Sequence, residues 1–323
     1  MRFIVSTSTL LKHLQTVNGA SSSSTVLPIL ENFLFEIKEG NLTISATDLQ
    51  TSMTTALPVE SKEEGKVAVP SRILLDTLKT LPDQPITFHV DDNTFAIEIS
   101  AGDGKYKLSG ENGDDFPKIP VVDNASSVNL PASVLSEAIT KTIFAVSNDE
   151  LRPAMTGVFC QLSPQNITFV ATDAHKLVRY RRNDTKADKA SSFILPKKAL
   201  TLLKAALPNS DVNVSVDYNA TSAFFKFENI NLICRLIDER YPDYEAVIPQ
   251  NNPNKLTIER SLFLNCLKNI RILEDFEFDC FLNAAKKYKI EILTGQSVQS
   301  IFRSEDSWKV ETNQQTFRCE NLV

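Results

Sequence analysis

The sequence predicts an α+β protein built from repeated domains, each carrying short helices on one face of antiparallel sheets. Three observations predict it. A set of anchor motifs recurs about 125 residues further along the chain. Apolar and polar residues alternate on either side of polar turns, as half-buried antiparallel strands require. Apolar residues at helical spacing occupy matching places in each repeat.

The anchors hold one register. Leu27–Leu49 (LPILENFLFEIKEGNLTISATDL) has its counterpart in Leu151–Leu177 (LRPAMTGVFCQLSPQNITFVATDAHKL). Pro28 and Asp48 are 20 residues apart, as are Pro153 and Asp173, and Ala46-Thr47-Asp48 returns as Ala171-Thr172-Asp173 after 125 residues. Val69-Pro70 and Leu81-Pro82 return as Leu195-Pro196 and Leu207-Pro208 at an offset of 126, and Phe116-Pro117 returns as Tyr241-Pro242 at 125.

Each repeat opens on a helix, at 9–17 and at 133–143. Leu10, Leu11, Leu14 and Val17 in the first, and Val134, Leu135, Ala138 and Ile139 in the second, form the apolar stripe. A strand pair follows, such as Phe33–Ile37 and Leu42–Ser45 around the turn Gly40-Asn41. A second helix is expected at 71–80 and 197–206, and alternating runs, ITFHVDD and VNVSVDY, come after it. A third repeat begins with a helix at 259–271, with Leu262, Phe263, Cys266 and Leu267 as its core residues, and then stops matching. All fifteen prolines lie at or before Pro253, whereas the sole tryptophan is Trp308. From Glu274 the pattern reads helix (Asp275–Tyr288) and strands (Ile290–Thr294, Ser297–Phe302, Trp308–Thr312). The expected division is 1–122, 123–250, an incomplete 251–273 and an unrelated αβ tail at 274–323.

Composition excludes several classes. The 323 residues are 42% apolar and 23% charged, a globular balance with chain enough for more than one core. No apolar run approaches the roughly 18 residues of a membrane span, and the opening MRFIVSTSTLLKHL does not read as a signal peptide. A soluble cytoplasmic protein with no membrane partner is expected. Cys160, Cys234, Cys266, Cys280 and Cys319 contain no C-x-x-C pair, and His13, His89 and His175 show no ligand spacing, so buried thiols are expected and no metal site. Neither a G-x-G-x-x-G fingerprint nor a P-loop is present; Gly102-Asp103-Gly104 reads as a hairpin turn. No cofactor is expected. Asp48 and Asp173 hold equivalent repeat positions, which argues for a turn or capping role rather than an acid/base pair.

Charge is segregated. The net charge is −6, yet the five repeat helices hold ten cations (Lys12, Arg72, Lys79, Lys141, Lys197, Lys198, Lys204, Arg260, Lys268 and Arg271) against Asp76, Glu137 and Glu259, leaving −13 for the rest. With helices on an inner layer and sheets outside, such a surface would hold a polyanion by phosphate contacts, without base readout. Helix propensity alone also places lysine on exposed helix faces, and the counts leave both explanations open.

Several motifs carry a family resemblance over residues 1–272: MRFIVSTSTLLKHL, LPILENFLFEI with ISATDL, ENGDDFPKIP, FVATDAHKLVRYR, RLIDERYPDYEAVIP and NKLTIERSLFLNCL. At these spacings the chain resembles the bacterial β sliding clamps, the processivity subunits of the replicative DNA polymerase. The resemblance implies a DNA-clamp fold and a head-to-tail homodimeric ring of three-domain protomers around duplex DNA, helices inward. It implies no catalytic centre. The implied partners are the polymerase and the clamp loader, which dock short peptides in an apolar cleft. Carried over by position, that cleft takes Met155, Thr172, His175, Leu177, Pro242 and Val247. Met155 and Leu177 read equally as core residues, and His175 as a surface histidine. The resemblance adds Arg152, Lys197 and Lys198 to Lys12, Arg72, Lys79 and Lys204 as DNA-facing residues. The loop position often basic in the family falls in Ser21–Ser24.

Residues 274–323 instead resemble an internal segment of a flavin-dependent oxidoreductase, through the "EI-x-TG", "V-x-S-I" and "W-x-VET" strands, without any flavin chemistry. With the third domain incomplete, clamp function is expected to be impaired and the chain to be monomeric or weakly associating. A fusion with a flavoprotein fragment, leaving a monomeric DNA- or peptide-binding protein, is the alternative.

Overall fold

The computed structural model describes residues 1–21, 27–121, 125–210, 212–250, 260, 261 and 264, together with the backbone of three strands between 298 and 319. The chain divides into two compact units, Met1–Val247 and Ile248–Val323.

In the first repeat β1 (Arg2–Ser6) runs directly into α1 (Thr7–Asn18), followed by β2 (Asn32–Lys38), β3 (Asn41–Thr47), β4 (Thr51–Pro58), β5 (Glu60–Ser61) and β6 (Gly65–Pro70). Helix α2 (Ser71–Thr80) precedes β7 (Pro85–Val90), β8 (Ala96–Ala101), β9 (Gly104–Ser109) and β10 (Glu111–Asn112). The second repeat runs β11 (Ser126–Pro131), α3 (Ala132–Thr142), β12 (Gly157–Leu162), β13 (Ile167–Thr172), β14 (Leu177–Arg182) and β15 (Ser191–Pro196). It ends with α4 (Lys197–Ala206), β16 (Asn213–Tyr218), β17 (Ser222–Phe227) and β18 (Ile230–Arg235). All four expected helices form within two residues of their predicted ends, and Ala101 pairs with Gly104 across the Gly102-Asp103 turn.

Strand and helix meet without a loop. Pro70, Pro131 and Pro196 each end a strand and stand immediately before the next helix. A ring-fixed φ near −65° serves both elements, and the missing N–H is one the helix start leaves unpaired anyway. Before α1, where no proline stands, the Asp83 carboxylate accepts from Ser8 N at 3.1 Å and from Ser6 Oγ at 2.8 Å. The Ser8 hydroxyl first, then the Ser6 hydroxyl and the Ser8 N–H, hold its pKa below the usual value and set a negative charge at the helix N-terminus.

The repeats share one sheet, which the sequence pattern did not announce. Strand order is β10-β6-β2-β3-β4-β18-β17-β16-β11, and the seam is the antiparallel pair β4–β18, with Met53 opposite Leu232 and Thr51 opposite Cys234. Two smaller sheets, β5-β1-β7-β8-β9 and β14-β13-β12-β15, complete the unit. The helices form one layer. Helix α1 packs on β3, β4 and α2, and α3 packs on α4. The α1 end meets α4 so closely that a Cβ on Gly19 would lie 2.3 Å from Leu202.

The cores of the two repeats trade aromatic for aliphatic residues. Phe3, Phe35 and Phe88 fill the first, with Phe3 and Phe88 stacked at 4.7 Å. Their sheet-equivalents are Val128, Cys160 and Val216. Phe35 pairs with Ile44 and Val67, and Phe88 with Ile99. In the second repeat Cys160 pairs with Phe169 and Phe193, and Val216 with Phe225. Where Cys160 and Val216 stand in place of Phe35 and Phe88, phenylalanines occupy their cross-strand partners Phe169, Phe193 and Phe225, which offsets the lost volume. Cys160 and Cys234 are buried free thiols, and burial pushes the Cys234 thiol up to about 12.

In the second unit the backbone forms β19 (Val298–Ser304), β20 (Ser307–Thr312) and β21 (Thr316–Cys319), one antiparallel sheet in that order. Two of these match the strands expected at 297–302 and 308–312; β21 was not anticipated. The expected helix 275–288, the strand 290–294, and Leu262, Phe263, Cys266 and Leu267 lie outside the described residues.

Candidate functional site

The helix layer carries its charge outward. Helices α1–α4 hold seven cations against Asp76 and Glu137. Lys12, Arg72, Lys79, Lys141, Lys198 and Lys204 are exposed and Lys197 is half-buried, while the opposite faces bury Leu10, Leu14, Leu74, Leu78, Leu135, Leu200 and Leu203. Lys79, Lys141 and Lys204 sit in last turns, where a cation complements the helix dipole. Lys197 and Lys198 do the reverse. They open α4 at its positive end, which costs about 0.3–1 kcal/mol each. Helix stability does not explain them.

The expected DNA-facing residues differ in how free they are. Lys12, Arg72 and Lys204 carry exposed charges. Lys197 Nζ donates to Asn148 Oδ1 at 2.8 Å, a neutral partner. Three others are paired with carboxylates: Lys79 with Asp76 at 3.3 Å, Arg152 Nε with Asp149 at 2.8 Å, and Lys198 Nζ with Asp48 at 2.6 Å. The Arg152 guanidinium, with the Leu151 backbone N–H, keeps the Asp149 carboxyl below the usual carboxylate range. Residues 22–26, which include most of the serine loop, lie outside the described residues.

The expected cleft residues fall on three short segments. Thr172 ends β13 and Leu177 begins β14, and the two are cross-strand partners. The turn between them is built by side chains. Thr172 Oγ1 donates to Lys176 O at 2.8 Å and accepts from Ala174 N at 3.1 Å. Asp173 Oδ1 accepts from His175 N at 3.0 Å and Lys176 N at 2.9 Å, and Ala174 adopts φ +74°. His175 is exposed at the tip. The first repeat builds the same turn with Thr47, Asp48 and Leu49 (φ +72°), so both aspartates are caps. Met155 lies on a 3-10 turn, Pro153–Thr156, that leads into β12.

Pro242 and Val247 lie on a segment the sequence analysis did not explain. Tyr241 stacks on Phe159 at 4.6 Å and 4°, and Tyr244 packs edge-on to both rings. Arg179, on β14, donates to both Glu245 carboxylate oxygens at 2.9 and 2.7 Å, and Arg181 adds a contact at 3.4 Å. These anchors fix 241–247 and leave Pro242 exposed and Val247 69% exposed. Both apolar side chains therefore stand at the surface rather than in the core. The R-Y-P-D-Y-E run contained the signal for this anchoring in its two tyrosines and its carboxylate. A cavity of about 620 Å³, lined by Phe159, Tyr218, Ile237 and Tyr241 among others, includes none of the six cleft residues.

Among the described residues no group of three His, Cys, Asp or Glu could hold a metal ion, and no helix is long and apolar enough to cross a membrane.

Comparison with known proteins matches two domains of one family. The family described as DNA polymerase III beta subunit, N-terminal domain, matches residues 1–120, and the corresponding central domain matches 129–243. The beta sliding clamp of Halalkalibacterium halodurans is 28% identical over 285 residues, covering 84% of this chain and 74% of its own. That of Synechococcus elongatus is 29% identical over 282 residues, covering 85% and 75%. A crystal structure of a putative DNA polymerase III beta subunit from Eubacterium rectale shares the fold, with a TM-score of 0.82 at 22% identity over 99% of this chain and 84% of that one. These matches neither carry the flavoprotein resemblance of the tail nor favour a fusion. With two homologous repeats on one sheet, a cationic helix layer and both domain matches in register, the chain belongs to the bacterial β sliding clamp family.

Proposed function

We infer that this chain serves as a DNA polymerase processivity factor, a non-catalytic accessory subunit that holds duplex DNA against its helix layer and tethers the polymerase. The observation that supports this best is the β4–β18 seam, which merges two repeats into one sheet and lines up α2, α1, α4 and α3 as a single cationic layer. Phosphate contacts by Lys12, Arg72, Lys79, Arg152, Lys197, Lys198 and Lys204 would be sequence-independent and compatible with sliding. The seam also supports a ring. The repeat counterparts of β4 and β18 are β14 and β9, and each stands at the edge of its sheet among the described residues. Each edge offers the half-seam that a further clamp repeat completes, as a homodimer of such chains would. The division into clamp domains 1–122 and 123–250, the start of a third at 251–273, and the αβ segment 274–323 belongs to the same proposal.

The cleft of Met155, Thr172, His175, Leu177, Pro242 and Val247 is the docking site for short peptides of the polymerase and of the clamp loader. Apolar anchors from an extended peptide suit Met155, Leu177, Pro242 and Val247. The test is topological. The chain, loaded on nicked circular duplex at moderate salt, is expected to stay bound and to leave when the circle is linearised. Equal loss from circular and linear DNA would refute encirclement.

A further inference from the structure

We propose that Asp48 and Asp149 set how tightly this chain grips DNA, each by occupying a cation that would otherwise meet a phosphate. The proposal rests on the helix layer being the DNA surface. Both pairs lie among its expected contacts: Asp48 Oδ2 holds Lys198 Nζ at 2.6 Å, and Asp149 Oδ2 holds Arg152 Nε at 2.8 Å.

Comparison of the repeats shows how Asp48 comes to do this. Its Oδ1 accepts from Gln50 N at 2.9 Å and from Thr51 N, as Oδ1 of Asp173 accepts from His175 N and Lys176 N in the second repeat. The second oxygens diverge. Oδ2 of Asp173 is taken by Lys176 Nζ at 2.6 Å, within its own turn. The residue equivalent to Lys176 is Thr51, which has no charge to offer. The Asp48 carboxylate therefore reaches out of its repeat to Lys198, 150 positions away in sequence, at the start of α4. Lys198 is 45% exposed in this pair and Asp48 only 16%, so the lysine remains the outward partner. Asp149 follows the same plan on a shorter span: Oδ1 accepts from Leu151 N at 3.0 Å and Oδ2 faces Arg152.

A paired cation contributes less to phosphate binding than a free one. A phosphate must displace a charge-assisted hydrogen bond to reach it, and the pair attracts fewer counterions in the first place. A subunit that must slide gains from this arrangement, because charge stays on the surface while each contact remains easy to exchange.

Asp48→Asn and Asp149→Asn keep the Oδ1 acceptor for the backbone caps and remove only the charge facing the cation. In fluorescence anisotropy with the full chain and a short linear duplex, each is expected to bind more tightly than wild type. One added phosphate contact steepens the slope of log K against log salt by about 0.9, so the gain is about 3.5-fold larger at 50 mM than at 200 mM salt. Lys12→Ala and Lys204→Ala, which remove exposed helix cations that no carboxylate holds, are measured beside them, with thermal melts to confirm that each variant folds. If the alanine variants weaken binding and the asparagine variants leave it unchanged or weaken it, the carboxylates merely position the cations and the proposal fails. If the alanine variants bind like wild type, the helix layer is not the DNA surface, and both readings fall together.

Discussion

The β4–β18 seam predicts that the two repeats unfold as one cooperative body, and Met53 with Leu232 is the place to test it. The two face each other across the seam, each 0% exposed. Truncating either to alanine leaves a cavity in a packed interior, with a cost of about 2–5 kcal/mol. For a unit of this size, about 3 kcal/mol lowers the melting temperature by about 6–12 °C. Because the residues touch the same space, Met53→Ala with Leu232→Ala should be non-additive, with a coupling of about 0.5–3 kcal/mol. Differential scanning calorimetry of the single and double variants reads both quantities. One transition for Met1–Val247, moved by either substitution, is the expected result. Two transitions, with Met53→Ala moving one and Leu232→Ala the other, would mean that the seam does not couple the repeats. Additivity within about 0.5 kcal/mol would say the same.

The pH dependence carries a contribution from His13. Its half-buried ring hydrogen-bonds Thr55 at 2.8 Å, and burial first, then Lys12, lower its pKa below the ordinary 6.5. The unfolded chain then takes the proton more readily, so this contribution is complete above about pH 6.5 and is lost as pH falls through the lower folded-state value. His13→Gln should shrink the loss of urea midpoint between pH 7.5 and 5.5; an unchanged loss would exclude His13 as a source. Lys197→Ala and Lys204→Ala should each reduce the salt slope of DNA binding by about 0.9, equally on unrelated duplexes. A change that depends on sequence would point to base contacts instead. In the cleft, Leu177→Ser and Val247→Ser should each cost about tenfold or more in affinity for a short peptide with apolar anchors. Their melting temperatures should stay near wild type, as neither side chain is fully buried. Isothermal titration would refute the cleft assignment if both variants bound the peptide unchanged.

Local information was enough for much of this molecule. The repeat register, all four described helices, the hairpins and the excess of helix cations depend on spacing and residue type within some twenty residues, where periodicity and turn chemistry act. The capping role of Asp48 and Asp173 was legible for the same reason, since an Asx turn is closed by its own neighbours. What the sequence could not supply were the relations between segments far apart in the chain. Nothing in β4 or β18 alone says that they pair across repeats, because an edge strand and an internal strand have the same alternation. Cys160 and Val216 look like mismatches to Phe35 and Phe88 in the repeat until their cross-strand partners prove to be Phe169, Phe193 and Phe225. Likewise Lys198 counts as a charge in a sequence and as an ion pair only once Asp48 is beside it. Tyr241, Tyr244 and Glu245 gain their role only when folding brings them to Phe159 and Arg179. The sequence by itself determined the elements and the sign of the surface; the tertiary structure decided the seam and which cations are free, because pairing energies depend on distances of a few ångströms between residues up to 150 positions apart.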